Sequence, residues 1–323
     1  MPKTTAIAHA IQGLVKYHGL KERERRIPFH DSISVCVEQL TTRATIDFDG
    51  KYSEDMIEIN GKPATELEAA RVLAVVSPIR NLAKMKDHFK LSTANSLTQG
   101  KGLGFSASAF ASISLASAIA LGVKPDLERL SEIARLGAGS ASRSLVGGFS
   151  IWYAKKNGRS YAKQLPASSA QKLAIAIVPI NSQVKTEEAH KESVRSPFFR
   201  VRVRETKTTL RQMLRAIQKG DIDEIGRLAE LESLSLHAVT MTGPEGLVLL
   251  APETIHVIQQ VRMMRETDHV PVWFSLDTGP SVYLNTHAEF VDALSRDIER
   301  NVNVKVLKSR VGGAAYRMTE HLF

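Results

Sequence analysis

Residues 98–113, TQGKGLGFSASAFASI, set Lys101 among glycines directly ahead of a run of small and apolar residues. The backbone N–H groups of such a turn and the exposed first turn of the next helix form an anion site, with Lys101 adding a positive charge. Gly102, Gly104 and Ser106 complete that loop. The same glycines suit a tight turn before a close-packed helix, and taken alone they leave both readings open. The segment is not GxxxxGK[ST], because the lysine precedes Gly102, and no long parallel strand leads into it as a dinucleotide fingerprint requires. Three other segments carry chemistry-bearing side chains: GLVKYHG (13–19), GSASRSLVGG (139–148) and FSLDTGPSV (274–282). Asp277, by itself, reads as the cap of the DTGP bend. The ten histidines are dispersed, with no HExxH, so no protein-held metal is expected. His18 either reaches a pocket beside Lys16 or packs, and His237, on a helix face with Leu234 and Met241, reads as structural.

The elements that must position these residues are partly legible. DSISVCVE (31–38), RATIDFDG (43–50) and MIEINGK (56–62) read as strands joined by tight turns. A helix is expected over 65–87, bent by Pro78, another from the glycine loop to about Leu121, and a third capped by Asp126 and ended by Gly137. A polar stretch near 165–172 marks a domain boundary. Beyond it come a strand at 172–180, helices at 205–219, 221–242 and 253–266, a strand at 270–276, a glycine turn, and a closing helix and strand over 287–308. This is an α+β pattern in two lobes with mostly antiparallel sheets.

Composition narrows the function classes. No apolar run approaches the roughly 20 residues that span a bilayer, and the N-terminus has no signal-peptide pattern, so a soluble, cytoplasmic protein without a membrane partner is expected. Cys36 is the only cysteine, which excludes an internal disulfide. The net charge of +9 is spread over the whole chain without a nucleic-acid motif, so an anionic small molecule is the expected partner, not nucleic acid.

The four segments resemble, in order and approximate distance, the diphosphomevalonate decarboxylase branch of the GHMP kinase superfamily, over nearly the whole chain. SRSLVGG and DTGPSV are specific to that branch; the glycine loop indicates only the superfamily. The resemblance implies a two-lobed α+β GHMP kinase-like fold with the active site in the cleft, an N-terminal lobe over 1–170, a C-terminal lobe over 171–323 carrying the catalytic aspartate, and a homodimer. It also implies roles: Asp277 as catalytic aspartate, Lys16 as its partner, Arg143 on the substrate carboxylate with Ser140 beside it, Ser142 as a further substrate contact, and Arg71 at the substrate's phosphate end. Loss of CO2 from C1 while phosphate leaves C3 needs a cation on the carboxylate, cations on the departing phosphate and an anion near C3.

Departures from the family sharpen the expectation. The family's KYWGK reads KYHGL here, placing His18 for a tryptophan and Leu20 for a phosphate-binding lysine; Ile11 replaces an asparagine, Phe105 the first of two loop serines, and Arg195 a threonine. Phe105 is expected to weaken nucleotide binding, Ile11 and Leu20 to suit a single 5-phosphate, and Arg195 and His18 to meet the substrate. The resemblance thereby narrows to the mevalonate 3,5-bisphosphate decarboxylases of Thermoplasma-type archaea, forming isopentenyl phosphate, CO2 and phosphate with no cofactor. The alternative is an ATP- and magnesium-dependent diphosphomevalonate decarboxylase giving isopentenyl diphosphate.

Overall fold

The computed structural model describes residues 3–97, 102–156, 158–181 and 186–323, without the side chains of residues 186 and 187. In chain order the strands are β1 (Thr4–Val15), β2 (Leu20–Glu22), β3 (Ile27–Pro28), β4 (Ser32–Phe48), β5 (Met56–Ile59), β6 (Lys62–Pro63), β7 (Phe89–Asn95), β8 (Phe149–Trp152), β9 (Ala162–Gln164), β10 (Leu173–Val178), β11 (Val272–Ser275), β12 (Val282–His287), β13 (Leu307–Arg310) and β14 (Tyr316–Met318). The helices are α1 (Glu66–Leu82), α2 (Phe105–Ala120), α3 (Leu127–Gly137), α4 (Ala141–Val146), α5 (Thr186–Ser193), α6 (Phe199–Lys219), α7 (Ile222–Met241), α8 (Pro252–Thr267) and α9 (Val291–Val302).

The first sheet has the order β14-β1-β4-β7-β5-β6, with β8 and β9 branching from β4; the second is β11-β12-β10-β13; β2 and β3 form a separate hairpin. Every pairing among them is antiparallel except β5 with β7. The fold is α+β, as expected. Sequence boundaries recover α1, whose capping box joins Thr65 and Glu68, and α3, whose Asp126 side chain accepts from the Arg129 amide.

Four features depart from the sequence reading. The two strands expected over 31–38 and 43–50 are one strand, β4, because β1 pairs with both halves; the register shifts where His9 faces Thr41 and Ala10 faces Val37. β1 itself has no clean alternation because all of its residues are buried. Ala6 and Ala8 enter a core with helix residues Val75, Phe110 and Ile133, while Ala10 and Leu14 enter a second core with Met213, Ile225 and Tyr283. α6 starts at Phe199, ahead of the helix expected at 205–219, and β12 and α5 form where the sequence suggested only connections. Finally, β14 returns to pair with β1, Thr5 with Met318 and Ile7 with Tyr316, and Lys3 Nζ donates to the Phe323 carbonyl at 3.0 Å. The lobe expected to occupy 171–323 therefore gives its last strand to the first sheet.

A third apolar cluster, including Val261, Phe274, Leu284 and Ile298, lies under α8 and α9. It holds β11 rigidly, and the Asp277 turn follows directly from that strand. No helix among the described residues is long and apolar enough to cross a membrane.

Candidate active site

The end of β1 meets the turn after β11. Gly13 N donates to both Asp277 carboxylate oxygens, at 3.1 and 3.3 Å. Lys16 Nζ lies 3.4 Å from Asp277 Oδ1 and donates to Ser275 Oγ at 2.9 Å and to the Gly13 carbonyl. A side chain at position 13 would put its Cβ 2.9 Å from Asp277 Oδ1, so the carboxylate can sit there only against glycine. Lys16 is buried, and burial lowers its pKa, opposed by the charges of Asp277 and Glu232 and assisted by Arg202. Asp277 remains 22% exposed, so its carboxylate is open to the cleft while its lysine is not.

His237 Nε2 lies 3.1 Å from the Asp277 carbonyl oxygen. Burial pushes its pKa down to about 4, the carbonyl bond opposes that shift, and the Lys16 charge adds to it. The ring is therefore neutral near pH 7, and its Nε2–H donates to the turn that carries the aspartate. This is a structural histidine, as expected, and what it supports is the aspartate turn.

Arg143 lies on α4, only 2% exposed. It donates to Ser32 Oγ at 3.0 Å and sits 5.4 Å from the Tyr17 ring centroid and 5.8 Å from that of Trp152. Burial brings its pKa down to about 10, with Tyr17 and Asp277 opposing. Among the described residues no carboxylate forms an ion pair with it, and its Nε is buried without a hydrogen-bond partner. A buried guanidinium held by a hydroxyl and two ring faces retains donors for an anionic ligand.

The glycine turn abuts this seat. A Cβ on Gly102 would lie 2.5 Å from the Gly279 carbonyl oxygen, and one on Gly104 2.5 Å from that of Ile11, so the loop packs against both the Asp277 turn and β1. Gly104 takes a left-handed conformation and caps α2 without a side-chain hydrogen bond. Ser106 is exposed in the first turn, and Phe105 is half-buried against the second core. Lys101 lies outside the described residues.

The remaining expected residues separate. Ser140 caps α4 without a side-chain bond and is partly exposed. Ser142 is buried and donates to the Gly139 carbonyl at 2.8 Å, which braces the α4 turn. Arg71 Nε donates to the Gly137 carbonyl at 2.9 Å, beside Arg26 Nε on the Leu136 carbonyl at 3.0 Å. Burial raises the Tyr17 phenol pKa, and the charges of Arg143, Arg26 and Arg71 oppose it. His18 is buried, its ring 4.7 Å from that of His190, with Nε2 3.4 Å from Thr240 Oγ1; packing is what the structure gives it. Arg195 lies on an exposed turn, in a solvated ion pair 3.7 Å from Glu245.

Gly13, Ser275, Tyr17 and Arg26 were not singled out by sequence reasoning. Arg26 had a signal, the basic run KERERR ahead of a strand; Ser275 had none. A cavity of about 290 Å³ opens between the β2–β3 hairpin and α5, lined by Leu20, Arg23, Arg26, His190, Lys191 and neighbouring residues. His190 stacks on Tyr17 at 5.2 Å, so one ring separates this cavity from Arg143. Among the described residues no group of three or more His, Cys, Asp or Glu side chains could hold a metal ion.

Among the described residues, this arrangement offers a guanidinium with no carboxylate partner, within electrostatic reach of a lysine-held carboxylate, and a helix N-terminus without a side-chain cap. Comparison with known proteins agrees with it. Residues 8–162 match the diphosphomevalonate decarboxylase-like N-terminal domain and residues 177–317 the mevalonate 5-diphosphate decarboxylase C-terminal domain. A phosphomevalonate decarboxylase of Haloferax volcanii is 39% identical over 98% of both chains. A mevalonate 3,5-bisphosphate decarboxylase of Thermoplasma acidophilum is 24% identical over 93% of this chain and 74% of that one. The solved mevalonate diphosphate decarboxylase from Enterococcus faecalis, described for its mevalonate diphosphate mediated ATP binding, superposes with a TM-score of 0.89 at 27% identity over 98% of both chains. By both halves of its sequence and by its fold, the chain belongs to the diphosphomevalonate decarboxylase-like family and is a decarboxylase.

Proposed function

We propose that this decarboxylase acts on mevalonate bearing one phosphate on its C5 oxygen, using ATP to phosphorylate the C3 hydroxyl and giving isopentenyl phosphate, CO2, phosphate and ADP. The observation that carries the reading is Arg143, buried without a protein carboxylate and within electrostatic reach of Asp277. It is the natural seat for the C1 carboxylate. Leu20 in place of the family's phosphate lysine supports a single 5-phosphate, with Arg26 and His190 supplying polar groups in the adjacent cavity.

Asp277 accepts the C3 hydroxyl proton as that oxygen is phosphorylated and, once that proton has passed to solvent, faces as a carboxylate the positive charge growing at C3 as phosphate departs. Lys16 and the Gly13 amide hold the carboxylate in place for both steps. As the C1–C2 bond breaks, its electron pair forms the C2=C3 double bond, phosphate leaves C3 with the C–O bonding pair, and CO2 leaves from Arg143. The uncapped terminus of α2 and its glycines fit a nucleotide phosphate, and the Haloferax relative supports the monophosphate.

A second reading, decarboxylation of mevalonate 3,5-bisphosphate without ATP, is favoured by Phe105 at the first position of α2, where the family has a serine. Its half-burial against the second core turns at least part of the ring away from the loop mouth, which favours the ATP reading. One experiment separates them: product analysis with mevalonate 5-phosphate, mevalonate 5-diphosphate and mevalonate 3,5-bisphosphate, each with and without ATP and magnesium. Turnover of the 5-phosphate only with ATP is expected. Turnover of the 3,5-bisphosphate alone, with none of the 5-phosphate, would establish the second reading.

A further inference from the structure

We propose that the buried Arg202–Glu232 ion pair is a positioning device that grips the backbone of Lys16 and so sets its ammonium group against Asp277. The inference rests on the reading of Lys16 and Asp277 as the reacting site. Lys16 N donates to Glu232 Oε2 at 2.9 Å, and Arg202 Nη2 donates to the Lys16 carbonyl at 2.8 Å. The two side chains close the circle on each other, Arg202 Nη2 to Glu232 Oε2 at 3.1 Å, with side-chain exposures of 3% and 4%. Both main-chain polar groups of one residue are thus satisfied by a single ion pair. Lys16 follows the last residue of β1, so no strand partner fixes it there.

Glu232 belongs to a helix that also fixes the opposite half of the site. Along α7, Glu230 accepts from the Phe274 amide at 3.3 Å, Ser233 from the Leu276 amide at 2.9 Å, and His237 meets the Asp277 carbonyl at 3.1 Å. Residues 230, 233 and 237 share one helix face, spaced by three and four. One rigid element therefore gauges the distance between the lysine and the aspartate. Replacing a buried ion pair by apolar side chains of similar volume is often neutral or stabilising. Stability alone does not explain why a pair is kept at this spot, and the grip on Lys16 does.

The charged and titratable groups facing Lys16 are Asp277 from the turn after β11, Glu232 and His237 from α7, and Arg202 from α6. Glu232 raises the Lys16 pKa and Arg202 lowers it, which gives the test a sign. In the full-length enzyme, the double variant Arg202→Met/Glu232→Leu is expected to remain folded by circular dichroism while kcat falls roughly ten- to a hundredfold with KM nearly unchanged. Glu232→Gln is expected to move the basic limb of the kcat profile to lower pH, and Arg202→Gln to higher pH. A folded double variant with wild-type kcat overturns the proposal. Should the double variant not fold, Glu232→Gln, which keeps an oxygen for the Lys16 amide, decides alone: an unmoved basic limb overturns it. Asp277→Asn is measured in parallel. If that variant keeps near-native kcat, the reacting-site reading fails; if it is slow while the pair variants match wild type, only the positioning proposal fails.

Discussion

The proposed seat of the reaction and the proposed phosphate end are built on different principles. At the seat, Asp277 receives two contacts from the Gly13 amide, one from Lys16 and one at its carbonyl from His237. Burial excludes water from Lys16 and Arg143. At the phosphate end, the β2–β3 hairpin spans a few residues, Arg23 and Lys191 are exposed, and an open cavity separates hairpin from helix. Chemistry that depends on charge placed to within a fraction of an ångström requires the first construction. The proposed discrimination between one phosphate and two falls to the second construction, whose lining side chains are solvated. Burial and several contacts hold the proposed reacting residues, and exposed side chains line the cavity.

The comparison is broken most severely at the seat. Asp277→Asn keeps the shape and removes the charge, so the single-turnover rate is expected to fall roughly a hundredfold or more with little change in binding; a near-native rate would make Asp277 a turn cap. Next is the His237 support. Its folded pKa of about 4 lies below the ordinary histidine value, so the unfolded chain binds more protons between the two. The associated stability is present above the ordinary value and is lost as pH falls toward 4, on the order of 3 kcal/mol in all. Chemical denaturation from pH 7 to pH 4 measures it, and His237→Gln should flatten that slope.

Arg143→Met tests the seat from the cationic side. It should lower kcat/KM at least about tenfold by losing a charge-assisted contact, while raising the thermal midpoint, because a buried cation without a protein anion is removed. A drop in both activity and midpoint would mean that the guanidinium supports the fold. At the phosphate end effects are smaller. Leu20→Lys should shift the ratio of kcat/KM for the 5-diphosphate over the 5-phosphate upward by less than about tenfold, with kcat unchanged. Smallest of all, Arg195→Thr should alter stability by no more than about 0.5 kcal/mol, since its ion pair with Glu245 is solvated. A large loss of activity there would restore Arg195 to the substrate site.

The types of side chain and their order along the chain were legible from sequence. Lys16, Arg143 and Asp277 stand in segments whose pattern, more than their periodicity, marks them, and the caps at Thr65 and Asp126 declare helix starts because they act within one turn. Local hydrogen bonding leaves local signatures. What tertiary structure alone decided is everything that joins distant segments. β1 hides its strand character because helices and a second core bury both faces, removing the alternation that a solvated face imposes. β14 pairs with β1 across almost the whole chain. Ser142 bonds the Gly139 carbonyl and Arg195 pairs with Glu245, contacts that the segment patterns did not announce. Arg202 and Glu232, 30 positions apart on two helices, meet at Lys16 only when α6 and α7 pack on β1. Sequence set which charges this protein carries; the packing of α7 between two sheets determined which of them face one another, because electrostatic work depends on distance and burial that no linear spacing encodes.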